Sequence, residues 1–278
     1  MFDWTTPPLP GQKLLDVGGA SGGQHAAAVE CSIVALDEDP EVFATPLPPL
    51  MSSRYHRVLA KAQDIPFAAA SFDYVLCHHV LEHVDRPDRA LCEMARVLKP
   101  DGGLSIAVPN GRGLCDAIYR YLFEGGGHVN RFSEDDVIAL VQRTTGLRMV
   151  RWRKLYSSFA YLARLEPLLD APPPDLQRRL LRLRFVPRAV LRLIHRALYH
   201  GTRYADRIFS GSLALYGWAF YFEQSGPAPV ELPAMLNVCI HCGAGHPAAS
   251  FRKTGLRTSV CPSCSQSTLY FRPFGAAV

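Results

Sequence analysis

Asp16-Val-Gly-Gly-Ala-Ser-Gly-Gly23 and, further along, Asp37 are the residues whose types and spacing point first to ligand chemistry. A short apolar run (Leu14, Leu15, Val17) reads as a buried strand, it stops in the glycine-rich turn, and Gln24 to Glu30 favour helix. Strand, glycine turn and helix together let backbone N–H groups approach a ligand without interference from Cβ atoms. A second apolar run, Ile33-Val-Ala-Leu36, ends in Asp37 and Glu38. A carboxylate at the tip of the neighbouring strand is placed to accept hydrogen bonds from a ribose diol. The plain alternative is a strand-to-helix turn with no ligand, and the spaced acid argues against it. The pattern contains no G-x-G-x-x-G, so it is not the dinucleotide fingerprint.

The second group with chemistry is made of thiols. Cys239-Ile-His-Cys242 and Cys261-Pro-Ser-Cys264 are two C-x-x-C knuckles separated by 18 residues. That spacing suits a four-thiolate zinc site, and four thiolates match tetrahedral zinc. Disulfides are the alternative. The first residues, Met1-Phe-Asp-Trp, carry neither a basic region nor an apolar core, so a reducing, cytoplasmic setting is expected. His241 and His246 beside the knuckles are spare potential ligands or bystanders to the four thiols.

The elements that must position these groups alternate between short apolar runs and amphipathic windows, the mark of a parallel sheet covered by helices. Residues 85–98 carry a helical stripe (Ala90, Leu91, Met94, Val97, Leu98) closed by Lys99-Pro100 and a Gly102-Gly103 turn. Ser133-Glu-Asp-Asp136 opens another helix with a cap and first-turn acids, and that helix ends at Gly146. The aromatic stretch from Leu213 to Phe222 suits a strand and is too short to cross a bilayer.

Further segments extend the glycine-loop pattern: Gln63-Asp-Ile-Pro-Phe67, Ser71-Phe-Asp-Tyr-Val-Leu76, Val80-Leu-Glu-His-Val84, Arg96-Val-Leu-Lys-Pro-Asp-Gly-Gly103 and Leu104-Ser-Ile-Ala-Val-Pro-Asn110. With them, residues 12–150 resemble the class I S-adenosylmethionine-dependent methyltransferases, in particular their type 11 branch. Gly19 stands where that family's first motif commonly has Cys, and Ala20 where it has its middle Gly. The resemblance implies a Rossmann-like, doubly wound, seven-stranded α/β sheet, mostly parallel, with Leu213–Phe222 as an antiparallel last strand beside 148–156. It implies S-adenosylmethionine held by Asp16, Gly18, Gly19, Ala20, Ser21, Gly22, Asp37, Glu38, Asp64, Ile65, Cys77 and His78, with Asp64 beside the adenine amino group.

Methyl transfer is an in-line displacement in which a protein chiefly supplies alignment, with a base where the acceptor is a hydroxyl. His79, His83 and His128 are the catalytic candidates. His79, Glu82 and His83 fall at i, i+3 and i+4. Some quinone-biosynthesis O-methyltransferases hold a divalent metal at such positions, but here His79 replaces their Glu. Helix packing or capping is the alternative for Glu82 and His83. No Asn-Pro-Pro-Tyr follows the fourth strand, which argues against methylation of DNA bases or glutamine.

At 278 residues, 48% hydrophobic and 20% charged, the chain has room for one large domain and a small module. Residues 1–222 are expected to form the catalytic domain, 223–236 a linker and 237–278 a zinc ribbon. Residues 151–207 are an insertion with 13 Lys or Arg against 4 Asp or Glu, a local charge of +9 in a chain of only +5. Two helices are expected there, over 175–186 and 187–200, with Pro187 at a helix start. Arg188, Arg192 and Arg196 recur every fourth residue while Val190, Ile194, Ala197 and Leu198 line another side. Such a helix can meet an anionic membrane surface or an acidic substrate, or act as a lid with Arg stems over apolar surface. The ribbon clamps the C-terminus, contacts another protein, or meets RNA through Arg252, Lys253 and Arg257 with Phe251, Tyr270 and Phe271. The leading expectation is methylation at oxygen of a small-molecule, lipid-linked or sugar-linked acceptor, with peripheral membrane contact through the insertion. The alternatives are an RNA methyltransferase reading RNA with the ribbon, and a non-catalytic cofactor-binding partner protein.

Overall fold

The computed structural model describes residues 6–19, 30–44, 54–124, 127–157, 159, 162, 178–183, 185–209, 212–226, 228–232, 239, 252–255, 258–262 and 264–269. Ala20, Ser21, Gly22, the helix expected from Gln24, and Cys242 lie outside the described residues, as do His241, His246, Phe251, Arg257, Tyr270 and Phe271.

The two apolar runs that flank the glycine turn become neighbouring parallel strands, β1 (Lys13–Val17) and β2 (Ser32–Asp37), with Val17 beside Leu36. Parallel pairing continues to β3 (Tyr55–Leu59) on one side, and to β4 (Phe72–His78) and β5 (Leu98–Pro109) on the other. Two more strands, β6 (Arg148–Tyr156) and β7 (Leu215–Glu223), complete the expected seven. The chain's last long strand, β7, inserts between β5 and β6 and runs antiparallel to both. An eighth strand, β8 (Val230–Glu231), falls in the stretch expected as linker and pairs in parallel with β6 at Trp152. Strands buried on both faces must be apolar throughout. Leu14, Leu15, Ala35, Val75 and Leu76 are accordingly all closed to solvent. Because β1 pairs with β2 on one side and β4 on the other, the strand order reverses at its carboxyl end. That switch point is where open α/β sheets bind ligands.

The helix expected over 85–98 is α1 (Pro87–Val97), burying Ala90, Leu91, Met94 and Val97. It starts later because Pro87 occupies its first turn and keeps Arg86 out of the helical region (φ −123°, ψ 71°). It also ends earlier, since Leu98 is already extended and opens β5, which absorbs the expected Gly102-Gly103 turn. Helix α2 spans Leu114–Leu122. In α3 (Glu134–Thr145), Ser133 and Asp136 form a capping box, and Gly146 closes the helix at φ 73°.

The insertion contributes α4 (Arg178–Leu183) and α5 (Arg188–Phe209). Helix α5 continues nine residues past its expected end because its second half is anchored. Arg203 is buried, its guanidinium lies 3.9 Å from the Tyr199 ring centroid, and its Nη2 donates to the Ser157 carbonyl at 2.6 Å. Near the C-terminus, β9 (Arg252–Lys253), β10 (Thr258–Val260) and β11 (Ser267–Leu269) form a separate antiparallel sheet.

Candidate active site

Gly18 leaves β1 with φ +74°, a conformation glycine adopts without strain, and donates its N–H to Leu36 O at 2.7 Å. A Cβ at Gly18 would collide with Val80, and one at Gly19 with the Asp16 carboxylate. Both positions therefore require glycine, and the backbone is left bare at the switch point. Tyr55 fixes the turn from below by donating its hydroxyl to Gly19 O at 2.8 Å. Asp16 is 4% exposed, and its Oδ2 has no hydrogen-bond partner among the described residues. Burial, reinforced by the nearby Asp37 charge, pushes the Asp16 carboxyl up to about 7. An N–H or cationic group from a ligand would supply the missing partner.

Asp37 stands at the tip of β2, its Oδ1 accepting the Asp39 N–H at 3.1 Å. Gly18, Asp37, Glu38, Gln63, His79 and His83 line one cleft. Asp64 is exposed beside it, and its N–H donates to Lys61 O. Ile65 is buried, and its turn is clamped by a salt bridge. The Ile65 N–H donates to Glu93 Oε2 at 3.0 Å, while Arg96 Nη2 donates to Ile65 O at 2.9 Å. Cys77 points into the core, where burial drives its thiol pKa far up. His78 Nε2 lies 3.1 Å from Ser105 Oγ. The bare glycine backbone, the unpartnered Asp16 oxygen and the strand-tip acid at Asp37 fit an adenosyl cofactor.

The second half of the site collects groups distant in sequence. His79 adopts φ +58° and donates its N–H to Ala107 O. Its Nδ1 lies 3.5 Å from Glu82 Oε1 and 3.4 Å from the Tyr216 hydroxyl. Burial drives the Tyr216 hydroxyl pKa up, and Glu82 adds to it. The expected helical face over His79, Glu82 and His83 is instead a tight turn, with the His83 N–H donating to Val80 O. The left-handed His79 and the non-helical Arg86 before Pro87 keep α1 from extending back over it.

Glu82 is 1% exposed, and its Oε2 has no partner among the described residues. Its carbonyl accepts the Val129 and Asn130 N–H groups, while Asn130 Nδ2 donates to Leu81 O and Val84 O. This stitching carries His128 over the turn, where its ring meets His83 edge-on at 4.7 Å. His128 Nδ1 lies 2.7 Å from buried Asp116 Oδ1, and Tyr119 stacks on the same imidazole. Ligand atoms of Glu82, His83 and His128 lie within 4.8 Å of one another, close enough to share a cation. All three catalytic candidates thus converge. Gln63, Asp116, Tyr119, Asn130 and Tyr216 were not singled out from sequence, since only strand pairing and the stitched 128–130 segment bring them here.

In the C-terminal sheet, Cys261 and Cys264 sit at the tip of the β10–β11 hairpin, which is closed by the Cys261 N–H donating to Gln266 O. Cys239 joins them from outside the sheet, and one sulfur from each of the three lies within 4.8 Å of the others. Cys239 Sγ and Cys264 Sγ are 3.7 Å apart. That is well beyond a disulfide bond of about 2.05 Å.

Comparison with known proteins agrees with this geometry. Residues 15–106 match a methyltransferase-domain family model, Methyltransf_11. The ubiquinone/menaquinone biosynthesis C-methyltransferase UbiE of Cereibacter sphaeroides is 29% identical over 194 residues, covering 58% of this chain and 76% of the relative. An uncharacterized methyltransferase of Mycobacterium tuberculosis is 36% identical over 98 residues, 34% of this chain and 38% of its own. Among solved structures, phosphoethanolamine N-methyltransferase 2 of Haemonchus contortus aligns with a TM-score of 0.54 at 18% identity, over 80% of this chain and 51% of that one. The [4+2]-cyclase SpnF aligns at 0.51 with 19% identity, over 79% and 77%. These two likenesses speak for the fold, and the domain match speaks for the reaction. Residues 15–106 form a class I methyltransferase domain, and the chain is an S-adenosylmethionine-dependent methyltransferase.

Proposed function

We propose that the enzyme methylates an oxygen atom of a small-molecule acceptor carried on a lipid or sugar, with His83 as the group that receives the acceptor's proton. The observation that carries this reading is that exposed His83 lines the same cleft as Gly18 and Asp37, backed by the His128–Asp116 pair. When bound, S-adenosylmethionine supplies a methyl group on a positively charged sulfur. Asp37 would accept hydrogen bonds from the ribose hydroxyls, Gly18 and Gly19 would offer bare backbone, and the unpartnered Asp16 Oδ2 would accept from a donor of the cofactor. Ala20, Ser21, Gly22, Glu38, Asp64, Ile65 and His78 are the further residues we assign to the cofactor, whereas Cys77, fully buried in the core, would act only by packing behind the site.

On the acceptor side, His83 would take the proton of the acceptor O–H while Asp116 holds His128 in place beside it. His79 and Glu82 orient the acceptor. Three histidines gathered with two buried carboxylates beside the cleft support catalysis over a purely cofactor-binding role. The relative named for ubiquinone/menaquinone biosynthesis supports a quinone-like acceptor, although that relative is a C-methyltransferase, so the oxygen assignment rests on His83 and not on the relative.

A structural zinc ion bound by Cys239, Cys242, Cys261 and Cys264 completes the proposal. Zinc–sulfur bonds of about 2.3 Å in a tetrahedron place sulfurs about 3.8 Å apart, and the 3.7 Å between Cys239 and Cys264 fits that edge. The ribbon over 237–278 then stands as a small module after the catalytic domain of 1–222.

The test of the acceptor atom is product analysis. Full-length protein incubated with methyl-labelled S-adenosylmethionine and a total lipid and metabolite extract is expected to yield a product with the label on oxygen by mass spectrometry. Label confined to nitrogen or carbon would overturn the reading.

A further inference from the structure

We infer that helix α5 docks the enzyme on an anionic lipid surface, so that its acceptor is presented from that surface. The docking rests on α5 alone, and the presentation of an acceptor rests on the proposed function.

Two stripes run along α5. The one facing the protein carries Leu191, His195, Tyr199, Thr202 and Arg203, all buried, and most of it is polar. The opposite stripe is apolar and exposed: Val190 is 41% exposed, Leu193 66%, Ile194 45%, Tyr204 64% and Ile208 54%. Positions 190, 194, 197, 201, 204 and 208 repeat at alternating steps of four and three, which keeps them on one side of the helix. At 1.5 Å per residue the stripe is about 27 Å long. Just before the helix, Phe185 is 80% exposed. The sequence pattern selects Val190 and Ile194 as a helical stripe, but the structure turns that stripe away from the protein.

Charge identifies the occupant. Arg192 and Arg196 are exposed beside the apolar stripe in an insertion whose local charge is +9, while Arg188, one turn earlier, is half-buried. An apolar strip flanked by arginines fits the boundary between anionic headgroups and acyl chains, with the guanidinium groups reaching the phosphates. A second copy of α5 would give the arginines no such partner. The helix's single carboxylate, Asp206, already accepts the backbone N–H groups of Leu213 and Ala214 at 2.6 and 2.8 Å. Nucleic acid would satisfy the arginines and leave the apolar stripe in water.

The stripe also leads toward the reaction centre. An apolar groove along α5 is lined by Ile194, Ala197, Leu198, Gly201, Thr202 and Leu213. Leu213 opens the turn into β7, and three residues later Tyr216 reaches His79. No helix among the described residues is long and apolar enough to cross a membrane.

Co-sedimentation of the full chain with phosphatidylcholine vesicles, with and without phosphatidylglycerol, tests this. The parent is expected to pellet with the mixed vesicles and much less with the neutral ones. Changing Arg188→Gln, Arg192→Gln and Arg196→Gln together is expected to weaken vesicle binding by about a hundredfold, with S-adenosylmethionine affinity unchanged. Leu193→Ser with Ile194→Ser is expected to lower binding to the same vesicles, again with cofactor affinity intact. Two results would overturn the inference: a cofactor-binding parent that stays in the supernatant, or a triple variant that pellets as the parent does. A parent dimer dissolved by the Leu193 and Ile194 changes, with no vesicle binding, would also overturn it by assigning the stripe to a second copy. A parent that pellets but binds no cofactor would uphold the docking face and sink the proposed function instead.

Discussion

His83→Gln is expected to lower kcat by about a hundred- to ten-thousand-fold, the usual contribution of a positioned general base, while leaving S-adenosylmethionine affinity essentially unchanged. Gln keeps much of the imidazole's size and can still hydrogen-bond, but it cannot accept a proton near neutral pH. The surroundings hold the side chain well enough for the comparison to be clean. His128 meets the ring edge-on at 4.7 Å, and Gly127, at φ +74°, leaves room beside Nδ1 that a Cβ would crowd. Asp116→Asn is expected to give a smaller loss in kcat, because it frees His128 to rotate without removing the proton acceptor. Stopped or continuous assay of product formation, paired with calorimetric cofactor titration, reads both parameters. An unchanged kcat in His83→Gln would remove the base from the account. Loss of cofactor affinity with a normal kcat at saturation would recast His83 as a binding residue.

Cys261→Ser is expected to abolish metal binding and unfold the C-terminal sheet while the methyltransferase domain survives. Structural zinc held by thiolates contributes about 10–16 kcal/mol, more than a small three-stranded sheet can replace by burial. Cys261 also sits at the turn of the β10–β11 hairpin, so the loss strikes the point from which both strands are held. The parent, purified without chelator, is expected to show one zinc per chain by elemental analysis, and the variant none. Limited proteolysis of the variant is then expected to remove the C-terminal module and leave a fragment that still binds S-adenosylmethionine. A metal-free parent with an intact C-terminal sheet would contradict the zinc assignment.

Much of the cofactor half of the site is legible in sequence because it is built from neighbours along the chain. Gly18 follows β1 directly, and Asp37 ends the next strand, so strand alternation alone brings them together. The α3 start is legible for the same reason, since Ser133 and Asp136 satisfy each other across one turn. The acceptor half is not local. Tyr216 reaches His79 only because β7 inserts between β5 and β6, and Asp116 reaches His128 only because Glu82 and Asn130 stitch residues 128–130 over the turn. Helix α5 shows a different limit. Its sequence carries an apolar stripe at 190, 194 and 197 and a mixed stripe at 191, 195, 199 and 203, and periodicity does not say which one faces inward. The protein buries the mixed stripe, because Arg203 finds carbonyl acceptors and the Tyr199 ring there.

The cofactor's ribose is assigned to Asp37 at the tip of β2, beside Gly18. Calorimetric titration of S-adenosylmethionine into the full chain and into Asp37→Ala is the measurement that tests it. Charge-assisted hydrogen bonds contribute about 1.5–3 kcal/mol each, so the variant is expected to bind at least about tenfold more weakly than the parent, with its fold intact by circular dichroism. An unchanged dissociation constant would contradict the placement of the cofactor between Gly18 and Asp37, and with it the site built around His83.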